Sequence, residues 1–457
     1  MSPVSTVPAA FAQLRRATVG TPGALLDSGD VQGVTMQPQR IAIIGAGTAG
    51  LASAIVLARQ GHAVTLFEQS PLMSTVGAGI LLQPSGMAVF RHLGVLDDAL
   101  ALGARVTALR GRLANGTLLI DSAYREACAE HFGLGLHRAS LCHVLLQALR
   151  SLPVTWHMGA TVTQLDVDDD GAAVAWTGTN GSGLARFDLA LVANGARSPF
   201  RPREWVLLDE PYPWGAVWAI LPECGTLPRD ILHQYFHGTS RMMGILPTGA
   251  VPEAPRQPLT SLFWSVPAAE LDAWQGSDAH VAAFKAEVRA RWPAASGWID
   301  TAVQGPAQFL PARYRDVVMT RFGAGRLGVL GDAAHAMSPQ LGQGVNMALL
   351  DAWALGQAMQ EADDFDALWA RYHALRLPSV RFYQFMSRAL TPFYQSHSRA
   401  LGLLRDLAFP WMYRLPWLRR EMARTVSGIK AGPFAELSLE AIAQPVPGLL
   451  PEGVPPG

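Results

Sequence analysis

Lysine is almost missing from this 457-residue chain: Lys285 and Lys430 are its only two, so nearly all of the 36 basic residues are arginine. Chemistry that depends on a lysine is therefore confined to two positions. Cysteine is as scarce. Cys128, Cys142 and Cys224 stand without CxxC or CxxH spacing, which excludes a disulfide framework or a structural zinc site and fits a reducing cytoplasm. Neither charge sign predominates, because 36 acidic residues balance the 36 basic ones, and nucleic acid is not expected as a partner. Long hydrophobic runs are also lacking. The longest, from 41 to 58, contains Gly45, Gly47, Thr48, Gly50 and Ser53, and reads as strand, turn and helix rather than as a membrane span. Residues 1–38 are rich in Ala, Pro, Ser and Thr without the apolar core of a secretory signal. They read as a disordered extension, with Met36 as an alternative start. With 49% hydrophobic residues, the remainder is long enough for two or three domains with substantial cores.

What is present begins with RIAIIGAGTAGLASAIVLARQGHAVTLFEQS, which reads as a βαβ unit. Gly45 permits the tight turn, Gly47 lets the backbone approach a pyrophosphate, and Gly50 lets the helix pack on the strand, with Ala46, Thr48 and Ala49 completing the loop. Glu68 follows Gly50 by 18 residues at the end of the next strand. A carboxylate there, followed by Gln69, can accept both hydroxyls of an adenosine ribose.

A second motif, GDAAHAMSPQLGQGVN, runs from Gly331 to Asn346. Asp332 at a strand end is suited to the hydroxyls of a ribityl chain. Gly342 and Gly344 then open a helix whose free amides and positive dipole end can face a ring that becomes anionic when reduced. This pattern points to a flavin.

Two further features lie between them. In FDLALVANGARSPFR a buried strand ends at Asn194-Gly195, where Arg197 and Arg201 either meet phosphates or are plain surface residues. In GLHRASLCHVLLQAL, Arg138 stands at the start of an amphipathic helix, against the helix dipole, which suggests that it serves an anion.

With these motifs the chain resembles the class A, single-component flavoprotein monooxygenases, the group of para-hydroxybenzoate hydroxylase and the ubiquinone-biosynthesis hydroxylases. The resemblance covers roughly 40–400. It implies that Gly45, Gly47, Gly50 and Glu68 bind the ADP half of FAD, with Arg138 on the pyrophosphate side. Asp332 would bind the ribityl chain, while Pro339, Gly342, Gln343, Gly344, Val345 and Asn346 would line the isoalloxazine. VGAGILLQPSG resembles the family's stretch near the flavin. Departures are Asn194 for a usual aspartate, Ser85 for an asparagine, Leu350 for a glutamate before Asp351, and Gln69 for a basic residue. The implied fold is α/β: a Rossmann-like FAD-binding domain in two parts, 39–205 and 310–391, an inserted mainly antiparallel substrate domain, 206–309, and a helical tail, 392–457. The implied reaction uses NADPH or NADH to reduce the flavin, after which O2 adds at C4a and the hydroperoxide passes one oxygen to the substrate.

The substrate region holds the runs PWGAVWAIL, ILHQYFHG, RMMGILPTG and LTSLFWSVP. They suggest an antiparallel sheet on which His233, Tyr235 and His237 share one face and Leu232, Gln234 and Phe236 the other. Trp218, His233 and Tyr235, with Trp264, are candidates for a pocket taking an aromatic or polyketide-like compound, the alternative being that they simply fill the sheet's packing interface. Hydroxylation, epoxidation and Baeyer–Villiger outcomes stay open. A flavin-dependent reductase of isoprenoid double bonds and a non-catalytic FAD protein holding a pathway intermediate remain as rivals. Flavin-dependent halogenation does not fit, because neither lysine lies where that chemistry uses one and PWGAVWAIL lacks paired tryptophans. No metal cluster has convincing spacing. In the tail, Pro410 and Pro416 are expected to break an arginine-rich apolar stretch into short helices that pack, form a dimer contact or lie on a membrane, packing being favoured. A cytoplasmic monomer or homodimer is expected, frayed from Pro445 onward.

Overall fold

The computed structural model describes residues 36–73, 77–179, 181–274 and 276–445. The expected N-terminal extension lies outside these apart from 36–38, where the Met36 amide donates to Ala362 O, and the expected fraying lies outside them beyond 445.

The apolar run at 41–44 forms the middle strand of a six-stranded sheet, Arg40–Ile44. On one side it pairs in parallel with Ala63–Glu68 and then Val154–Met158; on the other with Leu189–Val192 and then Leu327–Val329, and Gly323–Ala324 closes the edge antiparallel. Ile41, Ala42, Ile43 and Leu189 to Val192 are fully buried, the pattern of parallel strands covered on both faces. The helices Thr48–Arg59 and Gly344–Glu361 pack on this sheet, where Gly356 lies against Val56.

The second sheet has seven strands, in the order Leu310–Met319, Val206–Pro222, Leu259–Pro267, Arg241–Gly249, Ile231–His237, Ala108–Leu113 and Leu118–Ala123. The four expected strands are present. The sheet is nevertheless wider than 206–309: the two segments expected to hold the cofactor contribute three of its strands, and Ile231–His237 joins Ala108–Leu113 in parallel. One face is covered by the helices Asp278–Arg291 and Pro293–Ala302 through a core of Val217, Tyr235, Met243, Trp264, Trp292 and neighbours. The other face turns toward the parallel-sheet half. There Leu232 and Leu246 cluster with Leu81, and the Gly79 amide donates to Ser261 Oγ at 3.0 Å.

The long helix Phe365–Tyr394 runs through Pro378 and Pro392, so the expected boundary at 391/392 falls within a helix. Pro410 likewise does not break the tail. It sits in the last turn of Arg399–Met412, and the break falls before Pro416, which occupies the first turn of Pro416–Val426, where its missing N–H costs no helical bond.

Candidate functional site

The glycine turn is built as its spacing implies. Gly45 has φ +106°, and a Cβ there would lie 2.6 Å from Ala193 O and 2.7 Å from the Asn194 Cα. A Cβ on Gly50 would overlap the Gly45 carbonyl oxygen, so only glycine lets the helix start this close to the strand. Gly47, by contrast, has open space on that side. It precedes Thr48 at a helix start that no side chain caps, leaving amides free for an anion. Glu68 is anchored beside the turn: Oε2 accepts from the Ala46 amide at 2.8 Å and Oε1 from the Ser70 amide at 2.9 Å. The exposed Gln69 follows it, and Asn194 and Gly195 border the turn from the next strand.

The other half of the cradle touches the first. Gly331, at φ +59°, packs so closely on Ala49 that a Cβ would lie 2.9 Å from the Ala49 Cβ. It thereby delivers Asp332 to the mouth of the glycine turn. A Cβ on Gly344 would lie 3.8 Å from Asp332 Oδ1, which places the carboxylate at the start of the Gly344–Glu361 helix. Asp332 is accessible from the groove, yet the surrounding protein desolvates it and raises its pKa, while His335 and Arg138 pull the other way. Arg138 is exposed at its helix start, and His137 Nδ1, rather than Arg138, caps that helix. Pro339, Gly342 and Gly344 are exposed and Val345 partly so. Asn346 is buried and ties the turn to the neighbouring strand, accepting from the Gln83 amide at 2.8 Å and donating to Gly342 O at 3.1 Å. Gln343 donates to Val426 O, so it braces the turn against the C-terminal region.

The motifs do not reveal how Asp351, His335, Arg376 and Arg201 hold this arrangement. Asp351 is fully buried, accepting from the Gly331 amide at 2.7 Å and lying 2.7 Å from His335 Nε2 and 2.8 Å from Arg376 Nε. Burial alone would raise its pKa, but His335 and Arg376 overcome this and hold it at about 2. Its sequence signal is a lone carboxylate inside an apolar helix. Arg201 donates to Ala333 O and Ala196 O and pairs with Asp209 at 2.7 Å. It is thus a brace for the Asp332 turn and does not meet phosphate, because its side chain is buried and both terminal nitrogens are already bonded. Arg197 stays exposed.

The aromatic candidates divide. Tyr235 is buried on the helix-covered face, its ring 5.7 Å from that of Trp292, in the same core as Trp264. His233, on that face, bonds Pro228 O and lines a small pocket with Glu223 and Cys224. The alternation of the strand is as expected, but the face turned to the cofactor half is the one bearing Leu232, Gln234 and Phe236. Trp218 is on this inner face; its Nε1 donates to Tyr314 Oη at 3.0 Å, and its ring lies 5.1 Å from Phe263. Ser265 accepts from Gln395 Nε2, and Gln395 Oε1 accepts from Gln340 Nε2, both at 2.7 Å. Gln340 directly follows Pro339, so this chain of bonds links the inner sheet face to the turn before the helix. A separate cavity of about 400 Å³, lined by Arg105, Arg110, Arg125 and Arg419, shares no residue with the cradle.

The crowded glycines, the open Gly47, the anchored Glu68 and the groove-facing Asp332 fit an extended dinucleotide with a ring at the Gly344 helix start. A family model described as an FAD binding domain matches residues 39–382. This chain belongs to the class A FAD-dependent monooxygenases. A 6-hydroxynicotinate 3-monooxygenase of Bordetella bronchiseptica is 30% identical over 338 residues, covering 70% of this chain and 83% of that protein. A 3-amino-4-hydroxybenzoate 2-monooxygenase of Streptomyces cremeus is 27% identical, covering 74% and 83%. Among solved structures, a point variant of Klebsiella pneumoniae HpxO complexed with FAD superposes with TM-score 0.70 at 23% identity, over 87% of this chain and 100% of that one. The monooxygenase is thus an FAD enzyme that takes NAD(P)H as reductant. The bound flavin supplies reduction by nicotinamide and activation of O2. Glu68, Arg138 and Asp332 are the side chains that would hold the dinucleotide, and the free amides of the helix start would face the place where negative charge develops. No helix of the described residues is long and apolar enough to cross a membrane.

Proposed function

We propose that this monooxygenase hydroxylates a small, electron-rich aromatic ring bearing a hydroxyl or amino group, held between the inner face of the seven-stranded sheet and the turn from Pro339 to Gly344. The observation that carries this reading is the Trp218–Tyr314 pair beside Phe263 on that inner face. Aromatic walls with one hydroxyl match a planar substrate with a polar substituent. Tyr314 already accepts from Trp218, so its own proton remains for a substrate oxygen, and burial raises its pKa to about 12, keeping that proton in place at neutral pH. The relatives that act on hydroxynicotinate and aminohydroxybenzoate support a hydroxylated aromatic. In this reading 39–205 and 310–391 carry FAD, Asn194 and Gly195 border the glycine turn that takes its pyrophosphate, 206–309 covers the substrate, and the enzyme works in the cytoplasm as a monomer or homodimer.

The test is a panel of hydroxypyridine carboxylates, hydroxybenzoates and aminohydroxybenzoates, following nicotinamide oxidation, O2 uptake and product mass together. One member should give a product heavier by one oxygen, with oxidation coupled to uptake. Trp218→Ala and Tyr314→Phe should raise its KM or uncouple oxidation from product by roughly tenfold, the cost of one lost hydrogen bond or ring contact at the site. Ligand-stimulated oxidation without oxygen in any product would favour a reductase, and ligand binding without oxidation a sequestering protein.

A further inference from the structure

The C-terminal helical pair leaves an unusual amount of apolar side chain uncovered. Leu403, Leu404, Leu407, Trp411, Leu415 and Trp417 are all more than half exposed, Leu407 reaching 71% and Trp417 67%. On the helix Arg399–Met412, at about 100° per residue, Leu403, Leu404, Leu407 and Trp411 fall within an arc of about 100°. The buried residues Gly402, Arg405 and Phe409 fall on the opposite side, where Phe409 packs with Phe236 and Tyr394. The stripe is therefore a second, outward apolar face on a helix already anchored by its inward one.

The charge around the stripe has one sign. Arg399, Arg414 and Arg420 are exposed and, among the described residues, form no ion pair. Arg414 lies over the Trp411 ring at 4.5 Å. The one acid between 396 and 420, Asp406, is paired with Arg405, and Glu421 is paired with Arg424 and Lys430. In a chain of zero net charge this is a local excess of cations. Leucines and tryptophans between arginines are what an in-plane helix needs, with the rings at headgroup depth and the cations on phosphates. A second copy of this chain fits less well, because a twofold contact would set the same three arginines against themselves with no unpaired carboxylate to meet them.

We propose that Arg399–Met412 and the following turn through Trp417 seat this enzyme in the plane of an anionic lipid surface, without spanning it. Holoenzyme should therefore co-sediment with vesicles of phosphatidylcholine and phosphatidylglycerol, more weakly with phosphatidylcholine alone, and less as salt rises. Leu407→Glu with Trp411→Glu should weaken that partition by roughly tenfold or more while the protein keeps its bound FAD absorbance, which reports an intact fold. Arg399→Gln, Arg414→Gln and Arg420→Gln together, which leave the stripe in place, should remove the preference for anionic vesicles. Holoenzyme that stays in the supernatant with anionic vesicles overturns the proposal, as does a double-glutamate variant that binds like the parent or a triple-glutamine variant that keeps the anionic preference. A dimer in sedimentation velocity that the double-glutamate change dissolves, with no vesicle binding by the parent, would assign the stripe to a contact between copies instead.

Discussion

At the scale of single residues the cradle depends on a few groups with no substitute nearby. Asp332 is the carboxylate set beside the Gly344 helix start. Removing a charged acceptor from a ligand hydroxyl costs about 1.5–3 kcal/mol. Asp332→Ala is therefore expected to weaken FAD retention by at least roughly tenfold, read by flavin absorbance after gel filtration and by reconstitution of the apoprotein. His233 and Tyr235 give the opposite expectation. Both sit on the helix-covered face, Tyr235 in its core, so His233→Ala and Tyr235→Phe should leave substrate-dependent turnover within about twofold of the parent, because surface and isosteric changes away from a site have small effects. A large loss of kcat in either, with the fold intact, would return them to the site. The sequence placed these two on one face correctly. Which face meets the cofactor is a matter of how the sheet docks, and alternation carries no information about that.

Among elements, the most consequential link is between the Gly344–Glu361 helix and the Asp332 turn. Asp351 reaches from the helix core to the Gly331 amide, with His335 and Arg376 around it. Deleting one partner of a fully buried charged network leaves the others uncompensated, at about 3–5 kcal/mol. Asp351→Ala should thus lower the unfolding free energy by that order and weaken FAD binding as well, whereas a purely structural defect would lower stability alone. Denaturant titration with and without FAD separates the two. The sequence displayed Asp351 only as an oddity in an apolar helix, since its partners come from positions 331, 335 and 376. Arg201 was misread for the same reason: an arginine after a strand is ambiguous until Asp209 and the Ala333 carbonyl are seen to occupy it.

For the whole molecule, packing sets the response to acid. His62, His92, His131, His137, His233, His237 and His373 all have pKa values lowered, in each case chiefly by burial, His373 to about 4. Each binds its proton more readily when unfolded, so their contribution is complete above about 6.5 and declines as pH falls toward the folded values. Asp351, held at about 2, adds a further loss between about 4 and 2. Asp316 and Asp332, raised by burial, oppose the decline in part. The melting temperature should drop steadily from pH 6.5 to pH 4, before most carboxylates titrate. A flat profile in that interval would contradict the lowered histidines, and His373→Gln should reduce the slope.

By itself the sequence determined the glycine turn, because Gly45 takes a positive φ and Gly50 must clear the Gly45 carbonyl oxygen, a geometry that one short segment specifies. It determined four of the seven strands of the second sheet and their alternation, which follow from local periodicity. The tertiary structure alone decided the rest. Strands from 108–123 and 310–319 joined that sheet, Leu232 and Phe236 rather than His233 and Tyr235 were turned inward, Tyr314 met Trp218, and Leu403 to Trp417 were left uncovered. These outcomes rest on pairings between residues far apart in the chain, whose choice follows from the burial of whole faces against one another.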